Sequence, residues 1–197
     1  AYNNLANIFR KRNLNKKALE YYILTLTINP NYIRGFYNLA GVLQHFILDK
    51  KNKYINKFFL YLLEKKIIVR PNAIATNVIN GLFLNTNLKD FFSLIDNNKY
   101  PKNLDKIIEG LNDNKLLLQF MKVCPIPNYY FEKNFIKIRN EILNEIYNLN
   151  FNKIYLKFLI SLSAQCFLNE YLYYETDEEK FKINEINEKI KNNINKK

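Results

Sequence analysis

Glycine, cysteine and histidine are scarce in this chain. Of its 197 residues only four are glycine, two cysteine and one histidine. The glycines, Gly35, Gly41, Gly81 and Gly110, stand singly, which excludes a glycine-rich loop whose bare backbone presses against a cofactor. They are also too few for the tight turns of a sheet, and no stretch sustains the alternation of a strand. Cys124 and Cys166 sit between large apolar neighbours and read as reduced, buried thiols, which fits a cytoplasmic protein. The single histidine, His45, joins no cysteine or carboxylate at a spacing that makes a catalytic or metal-binding constellation. No apolar run reaches the roughly 18 residues of a membrane span, because Lys157 and Glu170 bracket the oiliest segment. No signal peptide is expected.

Apolar residues, by contrast, make up 48% of the chain, enough to fill one large core or two small ones, and a disordered chain is excluded. Lys and Arg exceed Asp and Glu by 30 to 18, giving a net charge of +12. Such a balance suggests nucleic acid or an acidic surface as partner. Much of it follows from composition alone, since Asn, Ile, Lys, Tyr and Phe, the residues of AT-rich codons, dominate. "RKRNLNKK", Arg10 to Lys17, and "DKKNKYINK", Asp49 to Lys57, are the basic clusters a nucleic-acid reading would use, although the first spans an inter-helix turn, where charge is usually only solvated.

An internal repeat sets the architecture. "YNNLANIFRKRNLNKKALEYYILTLTINP" is followed by "FYNLAGVL", and Leu5-Ala6 and Leu39-Ala40 lie 34 positions apart. That period and the residues at it resemble the tetratricopeptide repeat: Tyr2, Leu5, Ala6 and Phe9 on a first helix, then Ala18, Tyr22 and the closing Pro30 on a second. Small residues at Ala6, Ala18 and Ala40 let helices approach closely, and Pro30 ends a helix because it cannot donate the next backbone bond. The second unit keeps Phe36, Leu39, Ala40 and Leu43, but its closing proline is Pro71, which implies a longer loop around "HFILDKKNKYIN". A third unit keeps only Gly81 at the small position. The chain opens at Ala1 inside a repeat and is expected to be a piece of a longer protein.

Beyond Pro101 the period is lost while helical spacing persists. "NLDKIIEGLNDNKLLLQFMKVC" predicts two short helices and Pro125 with Pro127 a turn. Phe131, Phe135, Ile138, Ile142, Ile146 and Leu149 then form one apolar stripe. The expected fold is all-α: tetratricopeptide-type hairpins in an α-solenoid of two to three units, the later ones degenerate, over residues 1–99, packed against a C-terminal helical bundle over 100–197.

Within that bundle, "SLSAQCFLNEYLYYETDEEK", Ser161 to Lys180, mixes reactive letters into an oily segment. Lys157, Ser161, Gln165 and Asn169 recur every four residues on an otherwise apolar helix, which predicts a central helix. Thr176 and Glu179 have capping-box spacing, with Asp177 and Glu178 at the positive end of the following helix dipole. Cys166 lacks a nearby base or second thiol and reads as packing. Asn169 and Glu170 are expected to bond backbone groups of a neighbouring helix or of a domain junction.

"FLISLSAQCFLNEYLYYETDEE", Phe158 to Glu179, together with "LLLQFMKVCPIPNYYFEKNFIKIRNEIL", Leu116 to Leu143 with Glu132 and Arg139, is similar to bacterial proteins that join tetratricopeptide repeats to a class I S-adenosylmethionine-dependent methyltransferase domain. The resemblance implies a catalytic domain C-terminal to Lys197. It places no catalytic, cofactor-binding or metal residue on this chain and implies S-adenosylmethionine only for the parent protein. Repeat arrays of this kind bind extended peptides in a groove, where Asn4 and Asn38, equivalent in consecutive repeats, could bond a peptide backbone. Asn7 and Asn38 also match the asparagines of a clamp for peptide C-termini. Asn3 stands where that clamp has lysine, and no basic residues lie near Ala75 and Ile79, so the clamp is rejected. A protein or peptide partner and the parent's own methyltransferase domain are the expected partners, with a basic nucleic-acid-binding module as the alternative.

Overall fold

The computed structural model describes residues 1–96, 104–144, 153–169 and 173–194, and among these every regular element is helical. In order they are α1 (Tyr2–Lys11), α2 (Asn15–Ile28), α3 (Ile33–Leu43), α4 (Ile55–Glu64), a 3-10 turn (Pro71–Ile74), α5 (Ala75–Asn85), α6 (Leu88–Asp96), α7 (Leu104–Asp113), α8 (Lys115–Val123), α9 (Tyr129–Asn144), α10 (Lys153–Leu168) and α11 (Asp177–Ile194).

Local chemistry explains the first hairpin. Asn13 turns the chain in the left-handed region at φ 57°. Its N–H donates to the Arg10 carbonyl at 3.0 Å and that of Leu14 to the Phe9 carbonyl at 2.9 Å. Those are the two bonds of a Schellman motif, and asparagine tolerates the left-handed position better than most residues. Ala6 and Ala18 are fully buried, so α1 and α2 meet without a bulky side chain between them. α3 packs on α2 and runs beside α1, burying Phe36, Leu39 and Ala40. Pro30 is exposed in the turn between α2 and α3.

The second unit is more open, as its extra residues predict. Residues 44–54 separate α3 from α4, and the two helices are joined through Phe36, which stacks on Tyr61 with ring centroids 4.0 Å apart. Pro71 does not close α4. It opens the 3-10 turn ahead of α5, at a first helical position where its missing N–H costs nothing.

Asn77 on α5 secures the long loop. Its Nδ2 donates to the carbonyls of Leu43 at 2.6 Å and Phe46 at 2.9 Å, while its Oδ1 accepts from the Leu48 N–H at 2.6 Å. A single buried amide thus serves three backbone groups at the end of α3 that have no helical partner. Behind it, Gly81 admits Phe59 of α4: a Cβ there would lie 2.7 Å from the ring.

The later helices complete the same core. α8 packs against α4 and α10, α7 against α10, α9 against α6, and α11 against α9. Phe92, Phe131, Phe135 and Phe158 meet edge to face in a chain that joins α6, α9 and α10.

Candidate functional site

The asparagines singled out from the repeat do not form one row. Asn38 on α3 donates through Nδ2 to Oδ1 of Asn3 on α1 at 3.0 Å, bridging the two first helices. Asn3, and not its neighbour Asn4, is therefore the partner across the seam. Asn7 points into the hairpin, where its Oδ1 accepts from the buried Tyr22 hydroxyl at 2.6 Å. Asn4 is exposed and lines a pocket of about 350 Å³ with Asn3, Thr25, Asn29 and Tyr32. Tyr2 and Tyr37, 45% and 46% exposed, offer aromatic surface on α1 and α3. What this face presents is hydrogen-bonding amide beside exposed rings: Asn38 retains its carbonyl oxygen and one N–H, and Asn4 its whole amide.

The basic clusters are partly spent. Lys16 pairs with Asp49 at 3.1 Å, which ties the first cluster to the second and holds the Asp49 carboxyl below its ordinary pKa through that bond. Lys17 lies over the Phe9 ring and Lys53 over that of Tyr54.

At the other end, α10 is turned unlike the central helix its composition predicts. The middle of its polar stripe faces inward, with Ser161 and Gln165 fully buried and Lys157 exposed, while Leu156, Ile160 and Phe167 are 56%, 51% and 66% exposed. The end of α8 is the physical reason. The carbonyls of Met121 and Cys124 and the N–H of Ile126, next to Pro125 and Pro127, have no helical partners. Oriented to satisfy them, the Gln165 amide donates to those two carbonyls at 3.2 and 3.1 Å and accepts from Ile126 at 3.1 Å and from Asn169 Nδ2 at 2.6 Å. The backbone contact expected of Asn169 is thus made by Gln165, and Asn169 braces it. Glu170 lies outside the described residues.

Thr176 and Glu179 exchange both capping-box bonds, 2.9 Å from the Thr176 N–H to Glu179 Oε2 and 3.1 Å from the Glu179 N–H to Thr176 Oγ1. Glu179 is 1% exposed and also receives Arg139 of α9 in a fork, Nε to Oε1 at 3.0 Å and Nη2 to Oε2 at 3.1 Å. Arg139 further donates to the Tyr174 carbonyl. One carboxylate therefore caps α11 and fastens it to α9. Arg139 also lies near Cys166, whose thiol is pushed up by burial against the opposing pull of that guanidinium. Burial likewise raises the Tyr173 phenol, and it pushes the Cys124 thiol up to about 11. Both cysteine shifts favour the thiol over the thiolate.

Sequence reasoning missed Asn77, Gln165 and the Arg139–Glu179 pair. Gln165 was visible only as part of a polar stripe, Glu179 only as half of a capping box and Arg139 only through its place in a family-like segment, while Asn77 carried no signal. Among the described residues no three His, Cys, Asp or Glu side chains gather as a metal site, and no helix is long and apolar enough to cross a membrane. Comparison with known protein families, curated proteins and solved structures returned no match to this chain.

Proposed function

We propose that this chain is a tetratricopeptide-type interaction segment that holds an extended peptide along α1 and α3 and presents it to the methyltransferase domain of a larger protein. The observation that supports the reading is the Asn3–Asn38 bridge, which sets α1 and α3 side by side and leaves unspent amide groups on helices that also carry the exposed Tyr2 and Tyr37. Extended peptides need such groups, because their backbone N–H and C=O remain unpaired until a partner supplies both donor and acceptor. The hairpin geometry of α1 and α2, with α3 stacked on α2, supports the repeat assignment. The link to S-adenosylmethionine chemistry rests on the resemblance of residues 116–143 and 158–179.

Selection of a random peptide library on the whole chain tests the binding reading. Peptides recovered from it should lose about tenfold in affinity on Asn38→Ala, equivalent to about 1.4 kcal/mol. Peptides indifferent to Asn38 and Asn4 would overturn it, and steeply salt-dependent oligonucleotide binding would favour the nucleic-acid alternative instead. The coding sequence downstream of Lys197 tests the methyltransferase link: a strand, glycine-rich turn and helix are expected there.

A further inference from the structure

A second cavity lies away from the asparagine face. It is a cleft of about 590 Å³ walled by α4, by the turn between α5 and α6, and by the turn between α7 and α8. Its volume is in the range of small-molecule sites. Leu60, Leu88 and Leu116 supply apolar lining, and Phe91 forms part of the wall. Gly110 is needed for that ring, since a Cβ on it would stand 2.2 Å from the Phe91 Cζ.

Several acceptors around the cleft are occupied, while the exposed Asn87 amide and Asp113 carboxylate are not. Asn85 Oδ1 accepts from the Asn52 N–H at 2.9 Å, and Asn114 Oδ1 caps α8 by accepting from Leu117 at 3.1 Å. Thr86 Oγ1 accepts from Leu88 while donating to the Leu82 carbonyl. Asn56 Oδ1 faces Asn85 Nδ2 at 3.5 Å. Donors remain: Nδ2 of Asn56, Nδ2 of Asn114, and the ammonium groups of Lys57 and Lys115, which pair with no acid among the described residues. Asp113, exposed at the end of α7, is the one acidic side chain in the lining. The first turn of α8 adds the positive end of its dipole on the same side.

We propose that this cleft binds a small organic anion, a phosphate or carboxylate carried on an apolar or ring-bearing body. Lys57 and Lys115 would flank the anionic group, the amides of Asn56 and Asn114 would donate to it, and Phe91 with Leu60 would receive the body. A neutral ligand would leave the spare donors unmatched. A cation would meet two lysines against one aspartate.

The test uses the whole chain and three probes, inorganic phosphate, adenosine monophosphate and benzoate, followed by amide chemical-shift perturbation at near-physiological salt. At least one of the two organic probes should shift the side-chain amides of Asn56 and Asn114 and the backbone around Lys115, saturably and more tightly than inorganic phosphate. Adenosine monophosphate alone would identify a phosphate-bearing ligand and benzoate alone a carboxylate-bearing one. The double variant Lys57→Gln with Lys115→Gln should weaken binding about tenfold. Lys16→Gln with Lys17→Gln, an equal loss of charge on α2, should leave it unchanged. Equal weakening by both double variants would show that net charge alone attracts the probes, and either that result or unshifted cleft amides would overturn the proposal.

Discussion

Removing both members of the Arg139–Glu179 pair should cost no more than removing the arginine alone. Glu179 is 2% exposed in its side chain and Arg139 12%, so little water can replace either partner. In Arg139→Met the carboxylate keeps only the bond from the Thr176 N–H, and the Tyr174 carbonyl loses a donor. Stranding a buried charge in this way costs about 3 kcal/mol. Glu179→Gln leaves the guanidinium with a neutral acceptor and part of its solvent access, and costs about 2 kcal/mol. If each cost is mainly the partner left behind, the double variant should lose about 3 kcal/mol rather than the sum, a coupling of about 2 kcal/mol. Urea unfolding followed by far-ultraviolet circular dichroism measures all four corners of the cycle, with m-values held in common to exclude changes in the unfolded state. The coupling should also survive added salt, because the pair is buried. Additivity to within about 0.5 kcal/mol, or a coupling that disappears in salt, would refute the view that this carboxylate fastens α11 to α9.

Three further outcomes follow from the same structure. Asn77→Ala strands three backbone groups, at least two of them buried, and should cost about 3 to 5 kcal/mol by urea unfolding, whereas Asn38→Ala should cost under about 1 kcal/mol. Cys124, whose thiol donates to the Pro125 carbonyl, has its pKa raised by burial from 9.0 to about 11, so the thiol form is favoured in the folded chain. Its contribution should be intact below pH 9 and lost progressively up to about pH 11, as the unfolded chain ionises first, a loss of up to about 2 to 3 kcal/mol that Cys124→Ala abolishes. Cys166→Ala should lower stability by about 1 kcal/mol and change no binding function, while Gln165→Leu, which orphans the end of α8, should cost more than twice as much.

What the sequence made legible were features governed by near neighbours along the chain. Ala6 and Ala18 announced a close helix pair, Thr176 and Glu179 their reciprocal cap, and Pro125 with Pro127 the break after α8. Features that depend on distant partners were not legible. Gln165 looked like one member of a mild polar stripe, and only the unsatisfied carbonyls of Met121 and Cys124, more than 40 positions earlier, explain why it is buried and Leu156 and Ile160 are not. Pro71 was matched to a repeat position, but the residues added before it let it begin the next element. Asn4 and Asn38 were equated by period, yet helix rotation brought Asn3 to the seam.

Asn77 also bears on the order in which the chain can fold. In a row of helices that touch only their neighbours, structure can begin anywhere and spread one hairpin at a time. Here the loop at residues 44–54 is held shut by a side chain 29 to 34 positions further on, so α3 cannot keep its last turn sealed until α5 has arrived. The stretch from α3 to α5 should then open and close as one unit. The Leu48 amide, though it belongs to a loop, should exchange with solvent only as slowly as the core of α5 does.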